Sequence, residues 1–273
     1  LINYPLAWVA RTLVGEQAET VVPAPADGDP AFWQPTIDEI GLYQQADLIL
    51  LNGASYARWI ARTSLPASRM INTSAGFTDK IIYENSGPVH SHGPEGAHSH
   101  GEAAFTVWLD PTLFAQQAQA VATAIKTLPS IRPDDIDAKL ATLQQTLADW
   151  DSELAMLATA LDGAPLLYSH PVYQYLQRRY ALNGVALHWE PDQVPTEAQW
   201  RALENLLQKH PADIMLWEAE TLPEVSAQLE KLGIEVVVFR PQGNRSSAGD
   251  YATVMASNLE NLRTVTTPSS RLQ

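Results

Sequence analysis

Short apolar segments alternate with amphipathic segments along most of the chain, and this alternation predicts strands that are followed by helices. The run at 47–51 is apolar after its first residue and ends at Asn52-Gly53, which is typical of a strand buried on both faces. Segments of the same kind are predicted as strands at 19–22, 70–73, 166–169, 184–188, 214–218 and 235–239. Strands that alternate with helices favour an α/β fold with parallel sheets flanked by helices.

Apolar residues spaced three and four apart predict the helices. Thr36 followed by Glu39 fits the capping-box pattern and marks the start of one of them. The longest pattern runs from Pro133 to Leu161 without an interrupting Gly or Pro, and Gly163 ends it. Other helices are predicted at 7–13, 56–62, 112–126, 172–180, 197–209, 223–232 and 251–262.

The length of the 133–161 helix predicts a rigid strut that joins two α/β lobes. We expect an N-terminal lobe of residues 1–130, a connecting strut helix at 131–163 and a C-terminal lobe of residues 164–273. The N-terminal lobe contains a His-, Gly- and Pro-rich loop at 86–103. The segment 1–8 resembles the end of a strand and the turn after it, so we expect that a leader has been removed.

Composition excludes several classes of function. Lys and Arg number 17 against 31 Asp and Glu, and the net charge of −14 disfavours binding to nucleic acid or to anionic membranes. The chain has no cysteine, which excludes thiol catalysis, iron–sulfur clusters and Cys-type zinc sites. A nucleophile elbow and Gly-rich phosphate loops are absent from the sequence. We therefore expect a protein that is not an enzyme.

Several short motifs stand in a characteristic order along the whole chain. They include Tyr4-Pro5, the loop Gly28-Asp29-Pro30, the Trp-Leu-Asp-Pro motif at 108–111, and Ser169-His170-Pro171. With these motifs the chain resembles the periplasmic zinc/manganese solute-binding proteins of ABC transporters (cluster A-I). The resemblance implies a monomeric, extracytoplasmic protein that holds its cargo between two lobes and delivers it to an ABC permease in the membrane.

The resemblance also implies four positions for metal ligands, and only one of them carries a ligand in this chain. These positions correspond to Ala31, Thr106, His170 and Arg240. Zinc prefers four ligands, and the charge of an arginine opposes a nearby cation because its guanidinium stays protonated. The site is therefore expected to be a degenerate form of the family's metal site. Zinc remains the expected cargo, rather than manganese, because a His-rich loop is typical of zinc-directed members.

The other candidate residues each have a functional and a structural interpretation. His90, His92, His98 and His100 form two i,i+2 pairs that either capture zinc or belong to a solvated loop without an ordered role. His170 is either a ligand or a locally hydrogen-bonded histidine. Further cleft candidates, each of which has a plainer role in a turn, salt bridge or core, are Asp27, Asp29, Trp33, Glu102, Glu190 and Glu218.

Two hypotheses follow from these residues. In the first, the chain is the solute-binding protein of an ABC metal importer, and His170 and the His-rich loop carry zinc binding. In the second, it is a relative that no longer transports metal and binds an organic anion, a chelated metal or a protein partner, because Arg240 pairs well with a carboxylate or phosphate. We expect Glu190 and Glu218 to have a hinge or salt-bridge role, in which either could neutralise Arg240, and His188 and His210 to be structural.

Overall fold

The computed structural model describes residues 1–26, 28–83 and 103–266. Most of the predicted His-rich loop, including its four histidines, lies outside these residues, as do Asp27 and Glu102. The helices are α1 (Tyr4–Val14), α2 (Ile37–Gln45), α3 (Pro111–Ile125), α4 (Pro133–Leu161), α5 (Gln174–Tyr180), α6 (Glu197–Leu207), α7 (Pro223–Lys231) and α8 (Tyr251–Thr266). The strands are β1 (Ile49–Leu51), β2 (Met70–Asn72), β3 (Pro165–Tyr168), β4 (Asn183–Ala186), β5 (Ile214–Trp217) and β6 (Glu235–Val238).

The chain forms two compact units. Unit 1 comprises Leu1–Asp151 and Gln242–Tyr251, and unit 2 comprises Ser152–Pro241 and Ala252–Gln273. The division therefore falls inside α4, the helix predicted as a connecting strut. Within the described ranges, no helix is long and apolar enough to cross a membrane.

Unit 1 has a small parallel sheet and an aromatic core. Strands β1 and β2 pair in parallel. Trp8 on α1 stacks on Tyr251, with ring centroids 4.9 Å apart, and on Trp150, at 5.7 Å. Phe114 on α3 also packs against Trp8, at 6.0 Å. The core of unit 1 thus joins α1 and α3 to segments that are distant in sequence.

The N-terminal part of unit 1 differs from the sequence prediction in two places. Residues 19–22, predicted as a strand, do not form one. The first helix begins earlier than expected, at Tyr4, because the Asn3 side chain caps it by accepting a hydrogen bond from the backbone amide of Leu6 at 3.2 Å. Leu1 to Asn3 therefore lead directly into a helix.

Unit 2 contains one four-stranded sheet in which all neighbouring strands are parallel, in the order β4-β3-β5-β6. Its core is made of apolar side chains from the strands and covering helices, among them Leu167, Met215, Trp217 and Leu203. Helices between successive parallel strands give the α/β architecture that the sequence predicts. The carboxyl ends of all four strands meet at one edge of the sheet, where ligands of open α/β sheets bind.

Candidate functional site

The loop Gly28-Asp29-Pro30, one of the motifs of the family resemblance, lies in unit 1 and is organised by Asp29. Its side chain accepts a hydrogen bond from the backbone amide of Ala31 at 2.8 Å, and its carbonyl accepts from the amides of Phe32 and Trp33. The Asn244 amide donates to three carbonyl groups of the same loop, including that of Gly28 at 2.8 Å. Asp29 therefore sets the turn that positions residues 31–33.

Thr106, the second implied ligand position, is buried beside the start of α3. It precedes a short 3-10 helix, Val107–Leu109, and Asp110 then caps α3 by accepting from the amides of Thr112 at 2.9 Å and Leu113 at 3.3 Å. The Trp-Leu-Asp-Pro motif is thus a helix start, with Pro111 in the first turn, where a missing amide proton costs nothing. The motif fixes the backbone next to Thr106.

The aromatic residues that adjoin both implied ligand positions of unit 1 in the sequence make ring contacts with one another and with nearby rings. Phe32 contacts Phe105 edge-to-face with ring centroids 6.0 Å apart, and Phe105 packs on Tyr56 at 5.1 Å. Trp33 makes an edge-to-face contact with Trp59 at 6.1 Å. Burial, together with the Asp29 carboxylate, raises the pKa of Tyr56, so its hydroxyl stays protonated at neutral pH.

In unit 2 a polar residue follows each of the four strands within two residues, at the same edge of the sheet. His188 follows β4, His170 follows β3, Glu218 follows β5 and Arg240 follows β6. Because the strand order is β4-β3-β5-β6, these residues stand along the edge in the order His188, His170, Glu218, Arg240. The sheet topology therefore brings His188, for which the sequence predicts a structural role, next to His170.

His170 is close to a carboxylate and to a second imidazole. Its Nδ1 lies 3.7 Å from Oε1 of Glu218, and both side chains are mostly buried, with 14% and 20% of their surface exposed. The rings of His170 and His188 are nearly perpendicular, with centroids 6.3 Å apart. His210, in contrast, contacts the carbonyl of Leu166 through Nε2 at 2.9 Å, which agrees with a structural role.

Tyr173 fixes the segment that carries His170. Its hydroxyl donates to the carbonyl of Phe239 at 2.6 Å, and the side chain is fully buried. Burial raises the pKa of Tyr173 well above its usual value, and the Glu218 carboxylate raises it further. The hydroxyl is therefore a permanent donor, and it ties the His170 segment to the end of β6.

Arg240 is held by its backbone and neutralised by a residue that the sequence analysis did not select. The Asn258 side chain accepts from the amide of Arg240 and donates to its carbonyl, both at 2.9 Å. The guanidinium forms a salt bridge with Glu220, which corrects the expectation that Glu190 or Glu218 would neutralise it. Glu220 was missed because it follows the strand end by three residues, inside the turn before α7.

Within the described ranges, no group of three or more His, Asp or Glu side chains stands in an arrangement that could hold a metal ion. Glu190 lies beside the buried Trp189, and its carbonyl accepts from the amide of Gln193 at 3.4 Å. The roles predicted for His90, His92, His98 and His100 concern residues outside the described part of the chain. The described candidates thus separate into an aromatic set in unit 1 and a His–His–Glu set in unit 2.

Comparison with curated proteins gives relatives of low identity and broad coverage. The zinc-binding protein AdcA of Streptococcus pyogenes is 21% identical over 281 residues, which cover 96% of this chain and 55% of that protein. The high-affinity zinc uptake system protein ZnuA of Bacillus subtilis is 23% identical over 274 residues, which cover 95% of this chain and 84% of that protein. The chain thus spans about half the length of AdcA.

Comparison with solved structures agrees with the architecture described above. The crystal structure of the metal-dependent lipoprotein YcdH from Bacillus subtilis matches with a TM-score of 0.80 at 19% identity, covering 96% of each chain. A family model described as zinc-uptake complex component A, periplasmic, matches residues 3–265. The chain therefore belongs to the ZnuA family, as its motifs indicated.

Proposed function

We propose that the protein is the extracytoplasmic solute-binding component of an ABC importer whose cargo is zinc, and that it has no enzymatic activity. The observation that carries the proposal is the match to the ZnuA family over residues 3–265, together with the His170–Glu218 pair at the strand edge of unit 2. In this proposal a membrane permease is the partner, and the binding protein acts as a monomer.

Zinc binding in this chain would use an altered ligand set. Ala31 and Thr106 offer no nitrogen ligand, whereas His170 offers an imidazole with a carboxylate beside its Nδ1. A carboxylate in that place orients a metal-binding imidazole and raises its basicity. The histidines at 90, 92, 98 and 100 would supply further imidazoles.

The experiment is zinc titration by calorimetry on the unmodified chain and on a variant with residues 88–101 deleted. Matched variants replace the four histidines of this segment by serine and keep its length. We expect binding to the unmodified chain in the micromolar range or tighter. Absence of binding at micromolar free zinc would refute a zinc cargo.

A second candidate function is supported by the residue at another implied ligand position. Arg240 follows β6 of unit 2, where the resemblance implies an acidic ligand. A guanidinium at this position suits an organic anion or a metal already held by a small anionic chelator. Weak zinc binding that vanishes with the deletion would favour this candidate. Full retention of zinc binding after the deletion, with loss in His170→Ala, would refute it.

A further inference from the structure

We propose that His170 and His188 together bind one divalent metal ion on unit 2, and that Glu218 orients the ring of His170. The inference rests on the proposed function and adds His188 as a ligand that neither the sequence analysis nor the family resemblance assigns. The site lies within unit 2 and needs no residue from unit 1.

The register of the sheet places the two histidines side by side. Tyr168, the last residue of β3, is paired with Ala186, the last residue of β4, and each histidine comes two residues later. Pairing continues beyond the strands, because the amide of Leu187 donates to the carbonyl of Tyr168 at 2.8 Å. The next bond, from the amide of Trp189 to the carbonyl of Ser169 at 2.9 Å, is offset by one residue, and residues 169–170 form a bend. The bend, together with the register of β3 and β4, therefore sets how close the two imidazoles lie.

The distance between the rings suits a shared metal ion after a small rotation. Zinc–nitrogen bonds of about 2.0–2.1 Å in tetrahedral geometry place two imidazole centroids roughly 5 Å apart. The centroids of His170 and His188 are 6.3 Å apart, so a closure of about 1 Å is required. His188 is exposed, and its ring can approach that of His170 by side-chain rotation.

Glu218 determines which nitrogen of His170 faces the metal. Its Oε1 lies 3.7 Å from Nδ1, a position in which the carboxylate attracts the Nδ1 proton and favours metal binding through Nε2. Both side chains are mostly buried, so water screens their interaction only partly. The carboxylate also supplies negative charge on the side of the His170 ring opposite the cation.

The positive charge of Arg240 does not prevent this site. Strands lie about 4.8 Å apart, so the backbone of β6 is roughly 14 Å from that of β4 and 10 Å from that of β3. Glu220 also neutralises the guanidinium directly. A cation bound between His170 and His188 therefore experiences little repulsion from it.

Two imidazoles fill only part of the coordination sphere of a metal ion, and this limits which metal ligands the site can accept. Imidazole suits zinc, copper and nickel, and a two-residue site leaves the remaining positions to water or to a small chelator. A site with two protein ligands is consistent with the finding that no group of three acidic or histidine side chains in the described ranges could hold a metal. The geometry thus fits a divalent metal that arrives bare or partly chelated.

The test is zinc titration by calorimetry on the full chain with His90, His92, His98 and His100 replaced by serine. In this background we compare His188→Gln, His170→Gln, Glu218→Gln and, as the matched control, His210→Gln. We expect affinity to fall at least ~100-fold in the first two variants and ~10–100-fold in the third, with little change in the control. Thermal melts establish that each variant is folded.

A second measurement does not depend on any variant in unit 2. Zinc is added to the same background chain labelled with ¹⁵N-histidine, and metal binding should shift the imidazole nitrogens of His170 and His188 but not those of His210. If the chain binds zinc while His188→Gln binds equally well, or if the His188 resonances do not move, the inference is overturned and the proposed function stands. If zinc binds to the unmodified chain but not to the chain with the four serines, the inference is also overturned and the proposed function stands. If neither chain binds zinc, both the inference and the zinc cargo are refuted.

Discussion

Tyr173 and Tyr168 offer a matched pair of substitutions that measures how the His170 segment is held. Their rings are in contact, with centroids 5.2 Å apart, and both side chains are buried. The hydroxyl of Tyr173 donates to the carbonyl of Phe239, whereas the hydroxyl of Tyr168 is buried without a hydrogen-bond partner in the part of the chain described. Tyr173→Phe and Tyr168→Phe therefore remove the same atom from two different environments.

The expected free energies of unfolding differ accordingly. Tyr173→Phe leaves the buried carbonyl of Phe239 without its donor, which costs about 1–3 kcal/mol. Tyr168→Phe removes a polar group that makes no bond, so it should be neutral within about 0.5 kcal/mol or stabilising. Burial raises the pKa of both hydroxyls, so they stay protonated in the folded state, and they are also protonated in the unfolded state below about pH 9. The difference between the variants should thus be constant from about pH 6 to about pH 9.

Urea unfolding followed by tryptophan fluorescence measures both variants, since Trp217 and Trp189 lie in the core of unit 2. Zinc titration of the folded variants adds a functional measurement, because a loosened His170 segment should bind zinc more weakly in Tyr173→Phe only. Equal destabilisation by the two substitutions would refute the reasoning. In that case the packing of the rings, and not the bond to Phe239, would hold the segment.

Three further substitutions test local packing and hydrogen bonding, at Gly184 and Asn258 in unit 2 and at Gly41 in α2 of unit 1. A Cβ at Gly184 would lie 2.1 Å from the ring of Tyr168, so Gly184→Ala should destabilise by about 1–3 kcal/mol in thermal unfolding. Gly41→Ala, in α2 with nothing within 4 Å, should instead stabilise by about 0.5–1 kcal/mol, and the reverse order would contradict this account. Asn258→Ala removes both hydrogen bonds to the backbone of Arg240 and should cost about 2–4 kcal/mol in urea unfolding; a loss under about 0.5 kcal/mol would show that they do not hold this residue.

Local signals in the sequence were sufficient for most of the elements. The helix predicted at 133–161 has these bounds in the structure, and Thr36 and Glu39 form both hydrogen bonds of the predicted capping box. Helix periodicity and caps depend on residues three to four apart, so they can be recognised without the fold. The prediction failed at 19–22, where a strand needs a partner that local sequence cannot specify.

Local patterns therefore predict the α/β class, most of the helix and strand segments, and the family, whose motifs are continuous stretches of chain. Which strand ends are neighbours is known only from the folded chain, because the order β4-β3-β5-β6 depends on helix packing and crossovers between distant segments. That order places His188 beside His170, and a turn before α7 brings Glu220 to Arg240. The sequence shows which residue types could bind a ligand, but which of these residues lie next to each other depends on contacts between separate strands.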